Sequence, residues 1–172
     1  MSGAGKPEGE ARKRRYATPD EAFSARTKPG EGGCVVWVGA VAYNGYGRIR
    51  SGGRLLRAHR YAWQRANGPI PDGMEVDHTC FNRSCVNVEH LRLATKAENM
   101  QNRSGAQVRS SSGMRGVYWH KRDKAWTAKA MVDGVQKNLG YFATAEEAET
   151  AVTEWRRAHM PYSEMDKRKE PA

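Results

Sequence analysis

The chain has 172 residues, a formal charge of +10 from 29 Lys and Arg against 19 Asp and Glu, and an apolar fraction of 38%. That length holds one domain or two small ones, with cores small enough to need staples. Three cysteines, an odd and low count, argue against a secreted disulfide scaffold and fit a reducing compartment. No apolar run approaches the roughly 18–20 residues that span a bilayer, and residues 1–15 lack the apolar stretch of a signal peptide. A soluble, cytoplasmic, basic protein without a membrane role is expected, and nucleic acid is the default polyanion for such a charge.

Residues 1–15 end in Arg12-Lys13-Arg14-Arg15 and read as a flexible basic arm. Thr18-Pro19-Asp20-Glu21 is a helix start, with a hydroxyl cap, a proline in the first turn and acids behind it; the helix is predicted to run to about Thr27. Cys34 to Val38 reads as a strand from its β-branched and aromatic content. Tyr46 to Arg50 is a second strand, Gly52-Gly53 a turn and Leu55-Leu56 the start of a return strand. Ala58, Ala62, Trp63 and Ala66 fall on one face of a helix over 58–66, closed by Asn67-Gly68-Pro69. Met74 to His78 is a short strand, followed by a polar loop to His90 and a short strand at Leu91 to Leu93. Thr95-Lys96-Ala97-Glu98 is a capping box opening a helix to about Arg103.

Residues 104–112 are rich in Ser and Gly and carry no acid, the composition of a linker. Beyond it three alternating runs, 116–121, 125–132 and 135–142, predict three strands. Asp133-Gly134 joins the last two as a two-residue hairpin turn. Thr144-Ala145-Glu146-Glu147 is another capping box, and Ala148, Ala151, Val152 and Trp155 form the apolar stripe of the helix it opens.

Four residues separate Cys80 from Cys85, and four more separate Cys85 from His90. The intervening loop is too polar to hold one shape by burial, whereas Zn²⁺ fixes such loops with four tetrahedral thiolate and imidazole ligands. Cys80, Cys85 and His90 supply three. Cys34, the remaining cysteine, completes a Cys₃His set; His59 or water are the alternatives for the fourth place. Beside the cluster, His78 ends a strand and Asn99 lies early on the capped helix, so the two can converge. A neutral histidine takes a proton from water near neutral pH, and an amide oxygen with a neighbouring carboxylate suits Mg²⁺. Taken alone, a histidine at a strand end is as readily structural or a spare zinc ligand.

The segment V-D-H-T-C-F-N-R-S-C-V-N-V-E-H-L-R-L-A-T-K-A-E-N, Val76 to Asn99, resembles the ββα-metal motif of HNH nucleases. It is most similar to the zinc-clamped variety of the His-Cys box homing endonucleases, whose pattern H-x-C-x₄-C-x₄-H is followed by a metal-binding Asn. The upstream W-V-G-A, Y-G-R-I-R, A-H-R-Y-A-W and N-G-P-I-P stretches resemble phage HNH homing endonucleases, so the likeness covers about residues 16–103. The resemblance implies His78 as general base, Asn99 as ligand of a catalytic Mg²⁺ or Mn²⁺, and a structural zinc on Cys34, Cys80, Cys85 and His90. Asp77 departs from the His-Cys box and matches HNH relatives with an Asp–His pair, which makes it a candidate second Mg²⁺ ligand. Arg60 or His59 on the preceding helix are candidates for contact with the scissile phosphate; holding that helix against the zinc loop is the other role open to them.

In the C-terminal part, residues 113–143 hold six basic and two acidic side chains, a local +4, while the following helix carries Glu146, Glu147, Glu149 and Glu154. A positive sheet face suits a DNA groove. Arg115-Gly116-Val117, Ala125-Trp126-Thr127-Ala128, Leu139-Gly140-Tyr141-Phe142 and Thr144 to Ala148 resemble the plant APETALA2/ethylene-response-factor DNA-binding domain, relatives of which are appended to phage HNH endonucleases. Mapped residue by residue, that resemblance implies DNA contacts from Arg115, Tyr118, His120, Lys129, Gln136 and Asn138. Tyr118, His120 and Asn138 stand where arginine, arginine and tryptophan are usual, so the plant target sequence does not carry over.

The expected fold class is α+β: a ββα-metal HNH nuclease core with structural zinc, plus a small three-stranded antiparallel sheet packed on one helix. The expected divisions are an arm at 1–15, a nuclease domain at 16–103, a linker at 104–112, a DNA-binding domain at 113–162 and a tail at 163–172. The expected function is a site-specific endonuclease of homing or mobile-element type acting on double-stranded DNA, as monomer or homodimer, in a bacterial or phage-infected cell. A non-catalytic zinc-stapled DNA-binding regulator and an RNA-binding protein using Tyr118 and Tyr141 are the other classes the sequence allows.

Overall fold

The computed structural model describes residues 16–108 and 110–168; the basic arm expected over 1–15 lies outside the described residues. Helix α1 (Pro19–Ser24) starts where the capping signal put it, with Thr18 Oγ1 accepting from the Glu21 amide at 3.1 Å. It ends earlier than expected. Thr27–Pro29 forms strand β1, antiparallel to β2 (Val35–Trp37), because the residue before a proline is driven out of the helical region. Strands β3 (Arg48–Ser51) and β4 (Arg54–Arg57) form a hairpin whose turn places Gly52 and Gly53 at φ 54° and 76°, values that glycine adopts without strain. Helix α2 (Ala58–Asn67) follows directly.

Strands β5 (Met74–His78) and β6 (Leu91–Thr95) pair antiparallel from Met74↔Thr95 to His78↔Leu91. Thr95 and Glu98 cap helix α3 (Lys96–Gln101) reciprocally. One hydrophobic cluster joins these elements around Phe23, Trp37, Ile49, Ala58, Ala62, Val76, Val86 and Leu91. Trp37, 3% exposed, explains two glycines of the upstream motif. A Cβ on Gly39 would stand 2.6 Å from Trp37 Cζ2, and one on Gly47 only 2.4 Å from Trp37 Cδ1. Those two positions accept the indole because they have no side chain.

Strands β7 (Val117–His120), β8 (Ala125–Val132) and β9 (Val135–Phe142) form an antiparallel sheet in that order. Asp133 and Gly134 turn the second hairpin at φ 51° and 77°. Helix α4 (Ala145–His159) covers one face, burying Ala148 and Val152 against Val117, Ala128 and Ala130. The molecule is thus mixed α and β with several small sheets, as expected.

The chain's end differs from the expected tail. Met160 leads into helix α5 (Glu164–Arg168). Asp166, 1% exposed, receives Arg156 Nε and Nη2 at 2.8 Å each, and Arg156 is itself 2% exposed. Burial alone would push the Asp166 carboxyl up, but the hydrogen bonds from Arg156 and Ser163 hold it below the usual carboxylate range. The segment then reaches the other half of the molecule: Arg92 donates to Glu164 Oε1 at 2.5 Å and to the Tyr162 carbonyl at 2.7 Å, and Arg168 donates to the Thr79 carbonyl at 2.8 Å. Polarity hid this helix from a hydrophobic-periodicity reading, since ion pairs rather than apolar burial dock it. Asp166→Ala leaves the Arg156 guanidinium buried and unpaired, an expected loss of about 3–5 kcal/mol; chemical unfolding of the variant measures it, and a loss under about 1 kcal/mol contradicts the account.

Candidate active site and metal cluster

The loop between β5 and β6 is shaped by its neighbours. The Trp37 amide donates to the Ser84 carbonyl at 2.8 Å and the Val86 amide to the Val35 carbonyl at 2.7 Å, so the loop lies along β2. The Thr79 amide donates to the His90 carbonyl at 2.9 Å, and Asn87 Nδ2 donates to the Gly33 carbonyl at 2.8 Å. These bonds carry Cys34, at the start of β2, to the loop. The ligand atoms of Cys34, Cys80, Cys85 and His90 all lie within 4.8 Å of one another. His90 Nδ1 is 3.5 Å from Cys34 Sγ and 3.6 Å from Cys85 Sγ, close to the roughly 3.5–3.8 Å edges of a tetrahedron drawn at zinc–ligand bond lengths. The donor set therefore fits a structural zinc, with Cys34 rather than His59 in the fourth position. The hydrogen bond from Cys85 draws Cys80 down to about 5, while the same contact and burial push Cys85 up.

Next to this cluster, a cavity of about 440 Å³ is lined by Tyr46, Arg57, His59, Arg60, Asp77, His78 and Asn99, among others. The structure thus brings His78 and Asn99 to one site, as the strand–loop–helix arrangement predicted. His78 is 5% exposed, and its Nε2 lies 3.0 Å from the Cys85 carbonyl oxygen. A carbonyl only accepts, so Nε2 carries the proton and Nδ1 the lone pair. The metal loop thereby sets the tautomer. Burial lowers the His78 pKa from its ordinary value, against the opposing pull of the Cys85 carbonyl.

Asp77 Oδ2 accepts from Arg92 Nε and Nη2 at 3.1 and 3.0 Å and from Asn102 Nδ2 at 2.9 Å. Asn102 Nδ2 also reaches the His78 carbonyl at 2.9 Å. Asn99 Nδ2 donates to Glu75 Oε2. Sequence reasoning missed Glu75, Arg92, Asn102 and Arg57. Signals pointed to two of the four: Glu75 shares a strand face with Asp77 by the period of two, and Asn102 lies one helical turn beyond Asn99.

His59 is 3% exposed, and its Nδ1 has no hydrogen-bond partner among the described residues. Its ring centroid is 4.8 Å from that of His78. Burial first, then the charges of His78, Arg57 and Arg60, lower its pKa from 6.5 to about 3. Arg60 lines the same cavity.

On the C-terminal sheet, Tyr118 pairs with Thr127 and on to Tyr141, Lys129 pairs with Asn138, and Met131 with Gln136. Tyr118, His120, Lys129, Gln136 and Asn138 therefore share the face turned away from α4. Arg115 does not join them. Its guanidinium donates to Ser163 Oγ at 3.1 Å and the Gln101 carbonyl at 2.9 Å and stands 3.6 Å from Asp166. The expectation of a DNA-contacting Arg115 is corrected accordingly: the residue is spent inside the junction, where burial and the nearby Arg156 lower its pKa to about 10.

Residues 56–101 match the family model described as HNH endonuclease. The chain is 40% identical over 68 residues to "Protein 7.7" of Escherichia phage T7, covering 40% of this chain and 52% of that protein. It is 40% identical over 75 residues to "Uncharacterized gene 5.3 protein" of Enterobacteria phage T3, covering 40% of this chain and 74% of the relative. "Protein 3.8" of Escherichia phage T7 is 35% identical over 83 residues, 48% of this chain and 68% of the relative. The chain thus carries an HNH endonuclease domain over residues 56–101 and is a relative of these phage proteins. It spans about half the length of Protein 7.7. No solved structure matches it. No helix among the described residues is long and apolar enough to cross a membrane.

The buried His59 makes stability depend on pH with a definite sign. The unfolded residue titrates near 6.5 and the folded one near 3, so the unfolded state binds the extra proton in between. The stability is complete above pH 6.5 and falls as the pH drops below it, by about 2 kcal/mol at pH 5. Urea unfolding at pH 7.5 and 5 is expected to show His59→Gln losing about 2 kcal/mol less than the parent chain; equal losses count against the assignment.

Proposed function

We propose that the protein is a site-specific DNA endonuclease of homing or mobile-element type, acting in the cytoplasm of a bacterial host on double-stranded DNA. The observation that carries the reading is His78: a buried imidazole whose Nε2–H is held by the Cys85 carbonyl, on a ring that lines a cavity shared with Arg57, Arg60, Asp77 and Asn99. It lies within the stretch matched to HNH endonucleases.

In this reading, β5, β6 and α3 are the ββα-metal unit. His78 Nδ1 takes a proton from the attacking water, and Arg60 and Arg57, which line the same cavity, hold the scissile phosphate. Asp77 and Asn99 would hold Mg²⁺ or Mn²⁺, and their oxygen donors, with Glu75 beside them, suit a hard cation. Such an ion, when bound, stabilises charge on the phosphate and on the departing 3′-oxygen. The cation stays apart from the Cys₃His set, whose thiolates suit zinc. The C-terminal sheet and α4 form an APETALA2-like module that holds the duplex through Tyr118, His120, Lys129, Gln136 and Asn138. Its outer face, with Tyr118 and Tyr141 each 50% exposed and Lys129 Nζ 5.9 Å from the Tyr118 ring, supports that role. Residues 16–103 and 113–162 are then two modules, with the polar junction of α5 between them. A monomer of this design nicks, and a homodimer cuts both strands.

His78→Ala is expected to lower cleavage by about 10²–10⁴-fold, the contribution of a general base, while gel-shift affinity for duplex DNA changes little. Full cutting by the variant removes His78 from its role, and undiminished cutting in purified protein stripped of Mg²⁺ and Mn²⁺ removes the cation from its own.

Zinc has a separate readout. Elemental analysis is expected to give one zinc per chain, and Cys85→Ser to lose it together with the folded signature of the β5–β6 loop in amide exchange. A zinc-free chain with a protected loop contradicts the staple.

A further inference from the structure

The β3–β4 hairpin is unlike the rest of the surface. Residues 48–57 hold Arg48, Arg50, Arg54 and Arg57 and no acid, and all four arginines are exposed. Ile49, 2% exposed, and Leu56 turn to the core. Their neighbours Arg48, Arg50, Leu55 and Arg57 therefore share the outward face, with Arg48 directly across from Arg57. Like charges in that relation destabilise a sheet. No described ion pair relieves them. Arg50 reaches only the Gly53 carbonyl at 3.4 Å, and Arg57 lies on the Tyr46 ring at 4.7 Å. None of the four guanidinium groups is paired with a carboxylate in a described ion pair, and a polyanion would supply the missing charge.

Two further observations fix the occupant. The hairpin continues into the wall of the His78 cavity, which Leu55, Leu56 and Arg57 line, so a phosphate held in that cavity lies beside the ribbon. Arg83, which donates to the Asn44 carbonyl at 3.1 Å and faces Tyr46 at 5.8 Å, extends the positive surface beyond Arg57. A two-stranded ribbon also has the width that the major groove of B-DNA admits, and arginine is the side chain that binds both phosphate and the guanine edge there.

We propose that the Arg48–Arg57 hairpin is a second duplex-binding element, lying in the major groove next to the phosphate at the cavity. Arg48 and Arg50, on the outward face, are on the DNA and Arg57 is at the cavity rim. This inference rests on the reading of the substrate as double-stranded DNA. It makes recognition bipartite, one contact made by the C-terminal sheet and the other built into the nuclease module beside the cut.

The test measures binding rather than cutting, in the full chain carrying His78→Ala so that the duplex survives. Arg48→Gln and Arg50→Gln together are expected to weaken binding to the duplex at least tenfold. The slope of log affinity against log salt should become shallower by about 2, since each phosphate contact contributes about 0.9. Protection of guanine N7 from dimethyl sulfate should disappear over one part of the bound site. Removing the charge opposed to Arg57 should leave the melting temperature unchanged or higher, and the single Arg50→Gln variant, expected to change the slope by about 1, gives the same reading should the double variant melt early. An unchanged slope with intact N7 protection overturns the ribbon and leaves the nuclease reading standing. The slope change together with a parent chain that, with His78 restored and Mg²⁺ or Mn²⁺ supplied, never cuts DNA does the reverse, and a chain that does not bind duplex overturns both.

Discussion

The position of His78 depends on a loop that cannot support itself. Residues 79–90 are mostly polar, and the bond that fixes the imidazole comes from the backbone of Cys85, in the middle of that loop. A hydrophobic core holds side chains to a shape through many weak contacts; here a single carbonyl has to stay where it is. It is held by the backbone pairing to β2 and by four ligand atoms gathered within 4.8 Å. The cluster and the candidate base are therefore one device. Cys85 offers its sulfur to the cluster and its carbonyl to His78, so disturbance of the sulfur reaches the imidazole through the atoms of a single residue.

A second constraint arrives from the opposite end of the chain. Arg92 sits between Asp77 and Glu164, with Tyr162 supplying a carbonyl beneath the guanidinium and its ring against it at 4.6 Å. Asn102 links Asp77 and the His78 carbonyl to the Glu164 amide. The segment that packs against α4 thus also fixes the side chain beside the imidazole. An uncompensated guanidinium in such a place would be costly, and the pairing with two carboxylates explains why a chain of +10 spends acids here.

Much of this was legible in the sequence because it is local. Three capping boxes, at Thr18, Thr95 and Thr144, open helices where the residues said they would. Asp133-Gly134 makes its turn, and β5, β8 and β9 fall where alternation put them. The cysteine cluster was legible for another reason: with few thiols, elimination does the work of a contact map. What failed to show was polar and distant. Arg115 reads as a sheet-edge cation until Asp166 and Ser163 arrive from far along the chain. Strand β1 is three residues with a proline, below the length at which periodicity speaks. Glu75 was passed over beside the more conspicuous Asp77, although strand geometry sends both carboxylates to one side.

The low apolar content acquires a cause in these terms. Neither hydrophobic cluster has more than eight fully buried members, too few to hold every segment by burial alone. The remaining order is carried by directional bonds: thiols and an imidazole at one end of the β5–β6 loop, and guanidinium–carboxylate pairs at the junction. Such contacts are specific in geometry and weak as a reserve, since breaking one partner strands the other in a dry place. The mixture has a functional corollary. A core fixed by apolar packing would surround His78 with inert side chains, whereas one fixed by ligands, amides and arginines leaves the cavity wall charged and hydrogen-bonding. The same economy that spares hydrophobic residues supplies the polar surroundings in which the imidazole sits.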